Sequence, residues 1–126
     1  MSTVATLAFQ ATYHGSPAMV AQARHAVAAH FAGSPVADDM ALICSELATN
    51  SIQHSDSAGG LFSVRAELHR DYGWLEVEDY GGTWQLRPSA DRPRGLDVVN
   101  ALCGADNWGV EPLAGWGRVV WARVDF

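Results

Sequence analysis

The chain has 126 residues, a net charge of −6 and eight cationic residues, all of them arginine. This acidic balance argues against non-specific nucleic-acid binding, which depends on dense lysine and arginine. The lack of lysine excludes both a Walker-type phosphate loop and Schiff-base chemistry.

The length and composition predict one soluble domain that spans residues 1–126, with a single core. No apolar run approaches the roughly 20 residues of a membrane span, and no basic segment followed by an apolar block indicates a secretory signal. Cys44 and Cys103 have no metal-like spacing, so both are interpreted as small core residues of a protein from a reducing compartment. We therefore expect a cytoplasmic protein that contacts neither membrane nor nucleic acid.

The N-terminal part is predicted to form a strand and a helix. Thr3 to Tyr13 alternates loosely between apolar and polar residues, which indicates an edge strand. Ser16 followed by Pro17 is typical of a helix start, and this helix is expected to run to about Phe31. Arg24 falls within its apolar face, so we expect either a buried ion pair or a partner contact there.

A second helix is predicted from Val36 to Ser55, and it carries a line of polar residues. Because each helical residue turns by about 100°, Glu46, Asn50 and His54 lie on one side. This line borders the apolar stripe, so Glu46 and Asn50 lie at the edge of a core and need partners. An arginine for Glu46 and a loop for Asn50 would meet that need without any ligand. The stripe consists of Met40, Ile43, Cys44 and Leu47.

The remaining elements are predicted to complete an antiparallel sheet. Alternation over residues 61–68 and 74–79 indicates a hairpin with one buried face, joined by a turn at residues 70–73. Residues 83–94 have no periodicity and are expected to form a mobile loop. The last predicted elements are a helix over 95–102 and strands over 108–110 and 117–126. Strands in runs between helices predict an α+β two-layer sandwich, a mostly antiparallel sheet covered on one face by three helices.

Three polar features are expected to meet at one end of the helical layer. Asp79, at a strand end before Gly81, is suited to accept a hydrogen bond from an exocyclic amine while glycine lets a base approach. The helix start at residues 94–96 offers amide groups to phosphate. Asn50 supplies a hard oxygen ligand for Mg²⁺, and Glu46 is placed to activate a hydroxyl or water. Taken singly, each feature is also common in turns and solvated loops.

The segment from Glu46 to His54 resembles the N-box of the GHKL ATPases, the superfamily of DNA gyrase and the histidine kinases. The chain is most similar to small bacterial anti-sigma factors and serine kinases of the switch-protein kinase type. The resemblance extends over nearly the whole chain. Its other motifs are Ala23-Arg24, Val77-Glu78-Asp79-Tyr80-Gly81, Arg94-Gly95-Leu96, Trp108-Gly109 and Gly117-Arg118-Val119-Val120-Trp121-Ala122.

The resemblance implies a Bergerat-type, histidine-kinase-like fold that binds ATP with Mg²⁺ under a lid. By motif position, Glu46 is implied as the general base and Asn50 as the Mg²⁺ ligand. The implied nucleotide-binding residues are Asn50, Asp79, Gly81, Arg94, Gly95 and Leu96. Two positions depart from the family pattern: Val119 is aligned with a threonine near the adenine-binding aspartate, and Pro93 stands where another glycine is frequent.

The resemblance further implies a protein serine/threonine kinase and anti-sigma factor in a bacterial partner-switching system. Its expected partners are a sigma factor and a STAS-type anti-anti-sigma protein, whose serine receives the phosphoryl group; homodimerisation is left open. One alternative is a partner-sequestering module that has kept the fold but not the nucleotide chemistry. Another is a detached catalytic domain for a histidine on a separate chain, which the lack of a helical dimerisation segment disfavours.

Overall fold

A computed structural model describes residues 7–54, 60–79, 96–113 and 117–126 of the chain. Within these ranges the protein contains five strands and three helices, in the order predicted from the sequence. No helix in the described ranges is long and apolar enough to cross a lipid bilayer. The elements are β1 (Leu7–His14), α1 (Pro17–His30), α2 (Ala37–His54), β2 (Leu61–Leu68), β3 (Tyr72–Asp79), α3 (Leu96–Cys103), β4 (Trp108–Pro112) and β5 (Arg118–Asp125).

The five strands form one antiparallel sheet in the order β1-β2-β3-β5-β4. The prediction of an α+β protein with an antiparallel sheet is therefore confirmed, as is the edge position of β1. In the register of the central strands, Asp79 lies opposite Phe62 on one side and Arg118 on the other. The last residue of β3 thus lies between the second residue of β2 and the first residue of β5, at one end of the sheet.

The helices pack against the sheet face that carries the alternate apolar residues of each strand. From β3 these are Leu75 and Val77, which are buried with Met40, Ile43 and Leu47 of α2 in the same core cluster. The period of two along the strand and the period of 3.6 along the helix place these side chains at a common interface. The predicted apolar stripe of α2 is therefore confirmed as a core face.

The first helix begins as predicted but presents a different residue to the core. Ser16 is its N-cap and accepts a hydrogen bond at Oγ from the Met19 N–H over 3.4 Å, with proline following. The expectation that Arg24 lies within the apolar face is wrong, because Arg24 is exposed and Ala23 is buried instead. The small alanine lets the helix approach its neighbours, and the long arginine stem reaches solvent from the edge of the same face.

Two hydrogen bonds locate the end of the third helix. Beyond its C-terminus, the Asn107 side chain donates to the Cys103 carbonyl over 3.1 Å, and the Arg123 N–H donates to the Asn107 carbonyl over 2.8 Å. The C-terminus of α3 therefore lies beside the late part of β5.

Both cysteines lie in the core, as predicted. Cys44 and Cys103 are free thiols and both are buried. Burial raises the pKa of Cys44 to about 12 and that of Cys103 to about 11, since a thiolate loses its hydration inside the protein. Neither thiol is therefore poised for nucleophilic chemistry.

Gly73 lies within β3 rather than in the predicted turn, because the strand begins two residues earlier than Trp74. A Cβ atom at this position would lie 3.1 Å from Phe31 Cε1, 3.2 Å from Val36 Cγ2 and 3.4 Å from Met40 Sδ. The segment that joins the two long helices thus packs directly against the strand backbone. Glycine is needed here for close approach, and not for a special backbone angle.

We predict that Gly73→Ala lowers the free energy of unfolding by about 1–3 kcal/mol, because the added methyl group overpacks this contact. Urea denaturation measures the change. Arg70→Ala, at an exposed position three residues earlier, is the control and is expected to unfold like the wild type. Equal stability of the two variants would show that the helices do not pack on the strand backbone at Gly73.

Candidate functional site

Asn50 lies in the C-terminal half of α2 and is only 4% exposed. Its Nδ2 group is buried and has no hydrogen-bond acceptor among the residues that the structure describes. An unsatisfied buried amide donor costs about 1–3 kcal/mol, and most buried polar atoms in folded proteins have a partner. The side chain is therefore as buried as a core residue, and its Nδ2 group can still donate a hydrogen bond to a ligand.

Glu46 lies one helical turn before Asn50 and is half-buried. The two side chains share one side of α2, as the helical period predicts. A carboxylate here can accept a proton from a group bound near the asparagine. His54 forms the last residue of α2, and its side chain is outside the description.

The end of α2 lies against the start of β2 and the end of β1. The Gly15 N–H donates to the Gly60 carbonyl over 2.7 Å, which joins the residues that flank these two strands. A Cβ atom on Gly15 would lie 3.1 Å from Ile52 Cγ2, in the last turn of α2. Asn50 is therefore at the end of the molecule where β2 begins, and so at the level of Asp79.

Asp79 and Arg118 form a buried pair of opposite charges across β3 and β5. They are direct partners in the antiparallel register, and they are 3% and 4% exposed. Both occupy the helix-facing side of the sheet, as their alternation with buried apolar residues shows. Burial lowers the pKa of the Arg118 guanidinium to about 10, and the charge of Asp79 partly offsets that decrease. Arg118 therefore remains a cation at neutral pH.

Arg118 was not among the predicted site residues, whereas Val119 was expected near the adenine-binding aspartate. Val119 pairs with Glu78 and lies on the opposite face of the sheet from Asp79. The residue beside Asp79 on the helix-facing side is therefore Arg118 and not Val119. The signal was present in the strand itself, since Arg118 alternates in step with the buried residues Val120 and Ala122.

The third predicted feature is described only from Leu96 onward. Leu96 is half-buried at the start of α3 and packs against the core cluster. Gly81, Pro93, Arg94 and Gly95 lie outside the described residues. The described residues thus place the second half of α2 and the end of β3 at one end of the molecule.

The donor set at this end suits a ligand that carries both amine and phosphate groups. Within the described ranges, no group of three or more His, Cys, Asp or Glu side chains is placed to hold a metal ion. A divalent cation bound beside Asn50 would thus depend on the amide oxygen together with oxygens from a ligand and water, which is the usual arrangement for Mg²⁺ with phosphates.

No protein-family model matches this chain, and no similar sequence is found among the curated proteins.

We predict that Asn50→Leu raises the free energy of unfolding by about 1 kcal/mol, because it removes an unsatisfied buried donor without changing side-chain volume greatly. Thermal or urea unfolding measures the change. Asn107→Leu is the matched control and should destabilise the protein, since the Asn107 Nδ2 group donates to Cys103. A loss of stability in Asn50→Leu as large as in the control would contradict an unsatisfied donor at Asn50.

Proposed function

We propose that this protein binds ATP with Mg²⁺ at the end of the sheet formed by α2, β3 and α3, and that it is a GHKL-type serine-protein kinase and anti-sigma factor. The observation that carries the proposal is the buried, unsatisfied amide of Asn50 at the same end as the buried carboxylate of Asp79. The five-stranded antiparallel sheet with three helices is compatible with a Bergerat-type fold.

Each described side chain has a separate role in the proposed site. Asp79 accepts a hydrogen bond from the adenine amine, because a carboxylate is only an acceptor. Asn50 binds Mg²⁺ through its amide oxygen, while its Nδ2 group donates to a phosphate oxygen. Leu96 lies at the helix start, where backbone amides and the helix dipole favour phosphate. The backbone of Gly81 is proposed to flank the base. The remaining phosphate contacts are proposed to come from Arg94 and Gly95.

Glu46 is proposed as the general base for phosphoryl transfer. It takes the proton of a serine hydroxyl while the hydroxyl oxygen bonds to the γ-phosphorus, and the bond from that phosphorus to the β–γ bridging oxygen breaks to release ADP. Mg²⁺ held by Asn50 would neutralise charge on the phosphate oxygens. Glu46 is half-buried and lies one helical turn from Asn50, which supports a carboxylate near the proposed metal ligand that a protein substrate can still reach.

The proposed partners are a sigma factor and a STAS-type anti-anti-sigma protein that provides the acceptor serine. The protein would act in the cytoplasm, where both kinds of partner are found. The protein would alternately sequester the sigma factor and phosphorylate the anti-anti-sigma protein. Homodimerisation is compatible with this role.

A second candidate function, partner sequestration without nucleotide, is favoured by one observation. Asp79 already has a buried cation beside it, since Arg118 is its direct partner across the sheet. A carboxylate that already pairs with an arginine is less available to accept a hydrogen bond from the adenine amine. The two candidate functions differ in whether the protein binds ATP.

We predict saturable ATP binding that requires Mg²⁺ and is lost in Asn50→Ala, because the metal ligand and the phosphate donor are removed together. Isothermal titration calorimetry measures the affinity, and far-UV circular dichroism confirms folding. Asn100→Ala is the matched control, since Asn100 accepts a hydrogen bond from Trp108 and is exposed. Binding that survives Asn50→Ala would remove Asn50 from the site, and no binding at millimolar ATP would favour partner sequestration.

We predict that Glu46→Gln leaves ATP affinity nearly unchanged but lowers the slow hydrolysis of ATP by about 10²- to 10⁴-fold, the usual effect of losing a general base. Water serves as the acceptor in this assay, so no protein substrate is required. Glu111→Gln changes an exposed carboxylate on β4 and should retain the wild-type rate. Full activity of Glu46→Gln would exclude Glu46 as the base.

A further inference from the structure

Asp79 and Arg118 present an acceptor and a donor side by side at the end of the sheet. Direct cross-strand partners in an antiparallel sheet have Cβ atoms about 4.5–5.5 Å apart on the same face, and these two residues are such partners. A carboxylate only accepts hydrogen bonds and a guanidinium only donates them. Their side chains therefore offer two complementary groups on the helix-facing side of β3 and β5.

Stability alone does not explain this pair at the edge of a hydrophobic core. Burying two charges costs several kcal/mol of desolvation per ion, and replacing a buried ion pair by apolar residues is often neutral or stabilising. The positions that follow on the same face of β5, Val120 and Ala122, are apolar and buried. The two charges lie instead at the end of the core where Asn50 also lies.

We propose that Arg118 reads the nucleotide base: it donates a hydrogen bond to N1 of adenine while Asp79 accepts one from the neighbouring 6-amino group. This inference rests on the function proposed above. Adenine carries this donor and acceptor on adjacent atoms of one edge. A 6-oxo purine reverses both, and so places an acceptor opposite Asp79 and a donor opposite Arg118.

The two side chains have enough hydrogen-bonding capacity to bind each other and the base. A carboxylate has about four lone-pair positions and a guanidinium has five N–H groups, so a bidentate contact between them uses only part of each. Arg118 keeps its charge at neutral pH, because its pKa of about 10 is well above 7. Hydrogen bonds from charged donors are roughly twice as strong as those between neutral groups.

The test compares ATP with 1-deaza-ATP, in which a C–H group replaces N1. Isothermal titration calorimetry with Mg²⁺ measures both affinities in the wild type and in Arg118→Met, which keeps the aliphatic stem. The wild type should bind 1-deaza-ATP about ten-fold or more weakly, the usual effect of losing a hydrogen bond to a charged group. Arg118→Met should bind ATP more weakly and should no longer distinguish the two nucleotides.

Arg123→Met is the matched control. Arg123 lies on the same strand but on the opposite face, where its Nε donates to Asp125 Oδ1 over 2.7 Å. This variant should bind both nucleotides like the wild type. If Arg118→Met does not fold, Arg118→Gln, which keeps a neutral donor, takes its place and should discriminate less strongly than the wild type.

The outcomes separate this inference from the proposed function. Equal affinity of the wild type for ATP and 1-deaza-ATP would overturn the role of Arg118 and leave ATP binding intact. The same discrimination in Arg118→Met as in the wild type would also overturn it, because N1 would then be read by another group. No binding of ATP to the wild type would overturn the proposed function and this inference together.

Discussion

The pairing register of β3 with its two neighbours is the constraint on which the candidate site depends. It places Asp79 between Phe62 and Arg118, so one end of the sheet holds a carboxylate and a guanidinium next to the core. A slip of one residue would turn every side chain of the strand to the opposite face. The buried residues Leu75 and Val77 on the helix-facing side fix the register, and so they fix the position of Asp79 as well.

Polar burial at this end is costly to stability, and that cost indicates function. Asn50, Asp79 and Arg118 are almost fully buried, and the only other buried polar residues in the described part of the chain are Ser51 and Ser63. Apolar residues at these positions would give a more stable protein, because moving polar and charged groups from water into the interior costs free energy. Proteins commonly accept such costs at sites where a ligand later satisfies the polar groups. This pattern supports the proposal that this end of the core binds a ligand.

The element order and the apolar faces of α2 and the hairpin could be predicted from the sequence, because hydrophobic periodicity depends only on local geometry. The start of β3 could not be predicted, because a glycine at position 73 is typical of a turn. Its actual role, close packing of the helices on the strand, depends on tertiary contacts. Arg24 was placed in the core by helical spacing, but tertiary packing selects Ala23.

The predicted site residues stay predictions. The order of motifs along the chain indicated Asn50, Asp79 and the start of α3, and of these Asn50 and Asp79 are buried at one end of the fold. Arg118 was missed because motif alignment was preferred to strand alternation, which alone gives the side of the sheet that a residue faces. The predicted contributions of Gly81, Arg94 and Gly95 lie beyond the described part of the chain.

The central claim is that nucleotide binds at this end, and its most direct test is a titration of ¹⁵N-labelled protein with Mg²⁺ and ATP, followed by NMR. Chemical-shift changes should concentrate at the side-chain amide of Asn50 and at the backbone amides of Asp79, Leu96 and Arg118. Asn107, at the opposite end of the helical layer, should not change. Changes confined to that opposite end or to the open face of the sheet would contradict the claim.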